Sequence, residues 1–229
     1  MKKYILYILI LIPLSSFSQT NGGVSFDSTR VVYLEGMNSA SIKFNNFTNS
    51  RWLLRAWISE YDSSKKHTGF VITPPLYKTD TGESIQFKIT KTKLKLKEDR
   101  ESVFRINILA IPPKNSNGNN SVQFAINSRI KLFYRPKSLA PEQDNIKQSQ
   151  SLLIEKGVDM ITVFNPTPYY ITMDKVKVNG KLNTSLSDFM VPPYEKLNIP
   201  YKNTKSAKSI SYVTINDVGG RTPEVTKAL

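Results

Sequence analysis

His67 is the only histidine of the 229-residue chain, and cysteine is absent. Those two facts bound the chemistry. One imidazole without a thiolate cannot furnish a usual zinc site, and thiol catalysis and redox function go with the missing cysteines. A Ser-His-Asp triad would have to be built on His67. That residue lies in the polar stretch Ser63-Ser64-Lys65-Lys66-His67-Thr68-Gly69 and reads as an exposed loop histidine. No Gly-x-x-x-x-Gly-Lys pattern is present to cradle a phosphate. Trp52 and Trp57 could form a platform for a sugar, but both sit in the apolar run 52–58 and read as core. What remains is charge. The formal net charge is +14, which points to an acidic partner. The lysine-rich segment 91–97 reads as a solvated connector.

The chain opens with Lys2 and Lys3, an apolar run over residues 5–14, and small residues at Ser16 and Ser18. This is the pattern of a cleaved secretory signal. The run is shorter than the roughly 20 residues that span a bilayer. Cleavage after Ser18 would leave a chain beginning at Gln19, not embedded in a membrane, with two lysines fewer and a charge of +12. An exported protein of that charge is expected to meet an acidic protein surface or a cell-surface polymer rather than nucleic acid.

Short alternating segments dominate the rest. Ala40-Ser41-Ile42-Lys43-Phe44, Ser84-Ile85-Gln86-Phe87-Lys88-Ile89 and Val103-Phe104-Arg105-Ile106-Asn107-Ile108 each carry apolar residues on one face, as half-buried strands do. Val122-Gln123-Phe124-Ala125-Ile126 alternates in the same way, and residues 130–135 extend it before Pro136. About seven strands over some 110 residues is the size of an immunoglobulin-like sandwich. Residues 137–150 are polar, include Pro141 and read as a linker. A second set of strands follows, over 160–164, 169–172, 175–178, 196–199 and 209–214, with Asn179-Gly180 as a hairpin turn. The expected class is all-β: two tandem immunoglobulin-like β-sandwich domains. The divisions are 1–18 signal, 19–136 first domain, 137–150 linker and 151–229 second domain.

The chain resembles the periplasmic chaperones of the chaperone–usher pathway of pilus assembly. The resemblance is carried in order by Val24-Ser25-Phe26-Asp27-Ser28-Thr29-Arg30, Trp57-Ile58, Thr73-Pro74-Pro75, Asp99-Arg100-Glu101-Ser102, Ile111-Pro112-Pro113 and Ile130-Lys131-Leu132-Phe133-Tyr134-Arg135-Pro136. Phe164-Asn165-Pro166-Thr167-Pro168-Tyr169-Tyr170 and Ile215-Asn216-Asp217-Val218-Gly219-Gly220 continue it in the second domain. It implies a boomerang of two domains in the periplasm, with Arg30 and Lys131 at the base of the cleft gripping the C-terminal carboxylate of a pilus subunit. Two cations converging on one carboxylate would give charge-assisted hydrogen bonds.

The resemblance further implies that Val122, Phe124 and Ile126 fill the groove of a subunit lacking its last strand, a known mode of β-strand addition. An exposed apolar edge is a hazard, so self-capping as a homodimer follows. Glu101, Arg135 and Asp217 fall where the family has an interdomain ionic link, and Pro74 where it has a cis proline. The partners implied are pilus subunits and an outer-membrane usher, with no cofactor, no metal and no catalysis. The short segment 114–121 resembles the family branch that assembles rod-like pili. Two other readings fit the composition: a pilus subunit or adhesin, and another secreted two-sandwich protein that binds or hydrolyses a carbohydrate.

Overall fold

Alternating apolar residues become two sandwiches. In the computed structural model, residues 22–63, 65–114, 123–139 and 145–229 are described. The expected signal segment 1–18 and Val122 lie outside them. The first domain holds β1 (Val24–Phe26), β2 (Arg30–Leu34), β3 (Ala40–Asn46), β4 (Trp52–Glu60), β5 (Phe70–Thr73), β6 (Leu76–Thr79), β7 (Ser84–Lys91), β8 (Ser102–Ile111) and β9 (Ile126–Arg135). One sheet has the order β1-β3-β7-β5 and the other β2-β9-β8-β4-β6. Every pairing is antiparallel except β2 with β9.

Between the sheets, Ile42, Phe44, Phe87 and Ile89 of one face Leu54, Ile58, Ile106, Ile108 and Leu132 of the other. Each is almost wholly buried. Burying such a side chain contributes about 1.5–3 kcal/mol, so this row is the main source of the domain's stability. The strands exceed the expected seven because the chain changes sheets. At Pro74-Pro75, where the Thr73–Pro74 peptide is cis, it leaves β5 in the first sheet for β6 in the second. Proline lacks an N–H, so the ladder breaks there.

Two residues differ from the reading above. His67 lies in a loop but its side chain is largely buried, with Nδ1 2.7 Å from Glu60 Oε1 and its ring tilted against that of Phe104, centroids 4.4 Å apart. Trp52 packs on the core, whereas Trp57 points to the outer face under Arg55. In the apolar run 52–58 the residues of Trp57's parity simply fall on the side of β4 that faces away from the core.

After β9 come a single 3₁₀ turn at Lys137–Leu139 and a short helix α1 (Asn145–Ser151). The Tyr212 hydroxyl donates to the Ser149 carbonyl at 2.8 Å, tying α1 to the second domain. That domain holds β10 (Leu153–Lys156), β11 (Met160–Phe164), β12 (Ile171–Val178), β13 (Lys181–Leu182), β14 (Phe189–Val191), β15 (Lys196–Pro200), β16 (Ser209–Thr214) and β17 (Val225–Ala228). They form a sheet β10-β11-β15 and a sheet β13-β12-β16-β17, with β14 also on β12.

The segments 169–172 and 175–178, expected as two strands, are one strand with a bulge at Lys175 (φ 50°). The inward residues change parity across it, from Ile171 and Met173 to Val176 and Val178. Asn179 and Gly180 both have positive φ and turn the chain from β12 into β13. The C-terminal tail is not loose: β17 pairs with β16.

Candidate functional site: the junction of β2, β9 and the second domain

β9 serves two interiors because its side chains alternate. Ile130, Leu132 and Tyr134 enter the first core. Lys131, Phe133 and Arg135 face the other way, toward the second domain, where the Phe133 ring lies 5.9 Å from that of Tyr170. β2 runs parallel to the second half of β9 and sets Arg30 opposite Lys131. Two cations about a hundred positions apart in sequence are thereby neighbours.

They are held differently. Arg30 is 9% exposed. Its Nη1 donates to the Ile215 carbonyl at 3.1 Å, its guanidinium lies over Phe133, and its buried Nε has no hydrogen-bond partner among the described residues. Burial pulls its pKa below the usual arginine value, against the fields of Asp217, Asp188 and Glu101. Lys131 Nζ is 2.9 Å from Asp188 Oδ1 and 3.4 Å from Thr172 Oγ1. Burial lowers its pKa too, and Asp188 offsets only part of that. The other oxygen of Asp188 accepts the Tyr61 hydroxyl. Burial first, then the bond to Asp188, push the Tyr61 phenol well above its usual range, so it remains a donor. Arg105 lies 4.0 Å over the Tyr61 ring and donates to its carbonyl at 2.8 Å.

One turn of the ladder further, Arg135 donates from Nε to Glu101 at 2.7 Å, and from Nη1 and Nη2 to Asp217 at 2.8 and 3.0 Å. Glu101 belongs to the first domain and Asp217 to the second. The second oxygen of Glu101 accepts the Tyr170 N–H at 2.8 Å. Burial works against the Arg135 charge, but the fork to Asp217 together with Glu101 outweighs it and leaves the guanidinium above its usual pKa.

At the opposite end of β9 only one side is paired among the described residues. Ile126–Ile130 pair with β8 on one side, and β2 reaches only to Lys131 on the other. Ile126 and Phe124 continue the parity of Ile130 and Leu132, yet they are 46% and 74% exposed. The strand expected over 122–126 is corrected here. Gln123, Phe124 and Ala125 carry no strand pairing, and β9 begins at Ile126. Beyond Ala110, its partner, β8 ends at Ile111 before Pro112 and Pro113, and prolines cannot donate to a ladder.

The first domain, over residues 23–140, matches the family model described as pili and flagellar-assembly chaperone, PapD N-terminal domain. Residues 141–226 match the pili assembly chaperone PapD C-terminal domain. The chain belongs to the pilus-assembly chaperones. It is 39% identical to the chaperone protein FocC of Escherichia coli over 211 residues, 90% of each chain. It is 37% identical to the chaperone protein PmfD of Proteus mirabilis over 223 residues, 94% of this chain and 87% of the relative.

Among solved structures, the periplasmic chaperone SfaE matches with a TM-score of 0.74 at 36% identity, over 89% of this chain and 98% of that one. A chain of the Salmonella enterica SafA pilin complex with the SafB chaperone matches with a TM-score of 0.81 at 28% identity, over 90% and 96%. The protein is a periplasmic chaperone of chaperone–usher pilus assembly, and its family acts without catalysis. For such a chaperone, Arg30 and Lys131 form one cluster and Glu101, Arg135 and Asp217 a second beside it. Asp188, Tyr61 and the Ile215 carbonyl were not singled out in the sequence. Asp188 and Tyr61 are 127 positions apart, and neither sits in a segment that carries the resemblance.

Proposed function

We propose that the chaperone captures a pilus subunit by pairing the free end of β9 with it, while Arg30 and Lys131 hold the subunit's C-terminal carboxylate. The observation that carries this reading is the half-paired β9. Its apolar row is buried from Ile130 onward and exposed at Ile126 and Phe124, beside an edge that no strand among the described residues covers. An apolar face that outruns its own core suits a partner whose core is short of one strand. Val122 extends the same parity in the sequence. The Arg30 guanidinium keeps an unused Nε in the region of Lys131, and a bidentate carboxylate contact needs such a donor. The Arg135 link to Glu101 and Asp217 holds the two domains at the angle that shapes the cleft. The cis Thr73–Pro74 turn belongs to the scaffold. The complex of SafA pilin with the SafB chaperone supports a subunit as the ligand. The captured subunit is then delivered to an outer-membrane usher, and in the absence of a subunit two copies cap each other's exposed strand.

The test is co-purification from the periplasm with subunits co-expressed alongside the chaperone, comparing wild type with Arg30→Ala and Lys131→Ala. A subunit should co-elute with wild type and be lost from both variants while circular dichroism shows them folded. Variants that hold subunits as well as wild type would overturn the carboxylate anchor.

A further inference from the structure

The two cations of the anchor are in opposite states. Arg30 has no carboxylate within ion-pair distance among the described residues, and its Nε is unpartnered. Lys131 is already engaged with Asp188. That carboxylate comes from the second domain, two positions before Val191's neighbour Met190, at the entrance to β14, and reaches across to a strand of the first. Its second oxygen is held by Tyr61, which follows β4 in the first domain. Tyr61 is itself fixed by Arg105 through the ring and the carbonyl. The result is a carboxylate seated on the ammonium with the geometry of a charge-assisted hydrogen bond.

We propose that Asp188 is a resident carboxylate that occupies Lys131 until the C-terminal carboxylate of a subunit exchanges with it. This rests on the reading of Lys131 as an anchor. An ammonium is a compact charge with three donors. While Asp188 neutralises it, the anchor presents one net cation instead of two. A second carboxylate either displaces Asp188 or shares Lys131 with it at the expense of like-charge repulsion. Displacement has a route: the Asp188 side chain is 32% exposed, against 15% for Lys131, so the carboxylate has solvent to turn into.

The device has two uses for a carrier. A free C-terminal carboxylate alone gains little from Lys131, so retention requires the strand contact along β9 as well. During hand-over, the returning Asp188 gives the ammonium a partner, which eases departure of the subunit's carboxylate. Affinity for a carboxylate is lowered by the fraction of molecules in which Lys131 is free.

The test uses the purified protein and a fluorescent synthetic peptide of alternating apolar and polar residues. One form has a free C-terminal carboxylate and the other a C-terminal amide, and binding is read by anisotropy. Wild type should prefer the carboxylate. Asp188→Asn should bind the carboxylate peptide about tenfold tighter, with the amide peptide unchanged. Tyr61→Phe, which removes one restraint on Asp188 and keeps its charge, should shift the same way by about twofold. Lys131→Ala should reduce the preference to what Arg30 alone supplies and remove the gain that Asp188→Asn gives.

If Asp188→Asn leaves the carboxylate affinity unchanged or weakens it while Lys131→Ala still reduces the preference, the resident-carboxylate proposal falls and the anchor stands. If Lys131→Ala leaves the preference at the level of Asp188→Asn, the reading of Lys131 as an anchor fails and takes the proposal with it. A measurement free of any peptide checks the pairing directly. Acetylation of Lys131 by a succinimidyl ester, followed by mass spectrometry, should be faster in Asp188→Asn than in wild type; equal rates would overturn the proposal.

Discussion

Arg135 donates to carboxylates of two domains while almost wholly buried, and removing it strands Glu101 without its cation. Breaking a buried pair by deleting one partner costs about 3–5 kcal/mol, because the remaining charge is uncompensated. Arg135→Ala is therefore expected to lose that much stability in chemical denaturation. At Lys131 the consequence is a pH dependence. As the proposed anchor, Lys131 would grip a carboxylate only as the ammonium, and burial holds its pKa below the usual lysine value. The part of the carboxylate preference that Lys131→Ala removes should fade as pH rises through that lowered pKa, before the roughly 10.4 of an exposed lysine. An anisotropy titration of wild type against Lys131→Ala reads this directly; a Lys131-dependent preference that persists above that value would exclude its ammonium as the group responsible. The residues differ in how visible they are in the sequence. Arg30 and Lys131 look like ordinary strand charges, and only the resemblance around them marks them out. Asp188 is invisible because its role depends on a contact 57 positions away, made across two domains.

At the scale of the element, β9 carries one row of side chains in two settings. Ile130 is buried in the first core and Ile126, four positions earlier on the same face, is exposed. Ile130→Ala should cost about 2–5 kcal/mol through the cavity it leaves. Ile126→Asp should change stability by no more than about 0.5 kcal/mol, as exposed substitutions do. Subunit capture should respond in reverse, with Ile126→Asp losing the co-eluting subunit. Thermal unfolding and co-purification on the same two variants separate the roles. The alternation of these strands was readable because period-two patterning is local. What was not readable lies where a neighbour decides. The start of β9 is set by Pro112 and Pro113 at the end of its partner β8. The bulge at Lys175 merges two segments into β12, and its trace in the sequence is only the change of parity between Met173 and Val176.

For the whole molecule, two sandwiches in tandem follow from strand number, turn spacing and the polar stretch between them, and this much needs no long-range information. The angle between the sandwiches does. The contacts that join them are Arg135 with Asp217, Lys131 with Asp188, and Arg30 with the Ile215 carbonyl, all reaching from β2 and β9 into the second domain. The exposed edge also predicts association between molecules. Sedimentation of the purified chaperone should show a concentration-dependent dimer that Ile126→Asp converts to monomer; a dimer that survives the substitution would place the contact elsewhere. β9 carries one more implication. Its ten residues extend for about 33 Å. The open apolar row lies at one end, the ammonium at the middle and the tie between the domains at the other end. A strand bonded along its length neither stretches nor buckles easily, so it behaves as a connecting rod. A load applied at Ile126 would reach Arg135 as torque on the joint, and a bound subunit would then bear on the elbow between the domains.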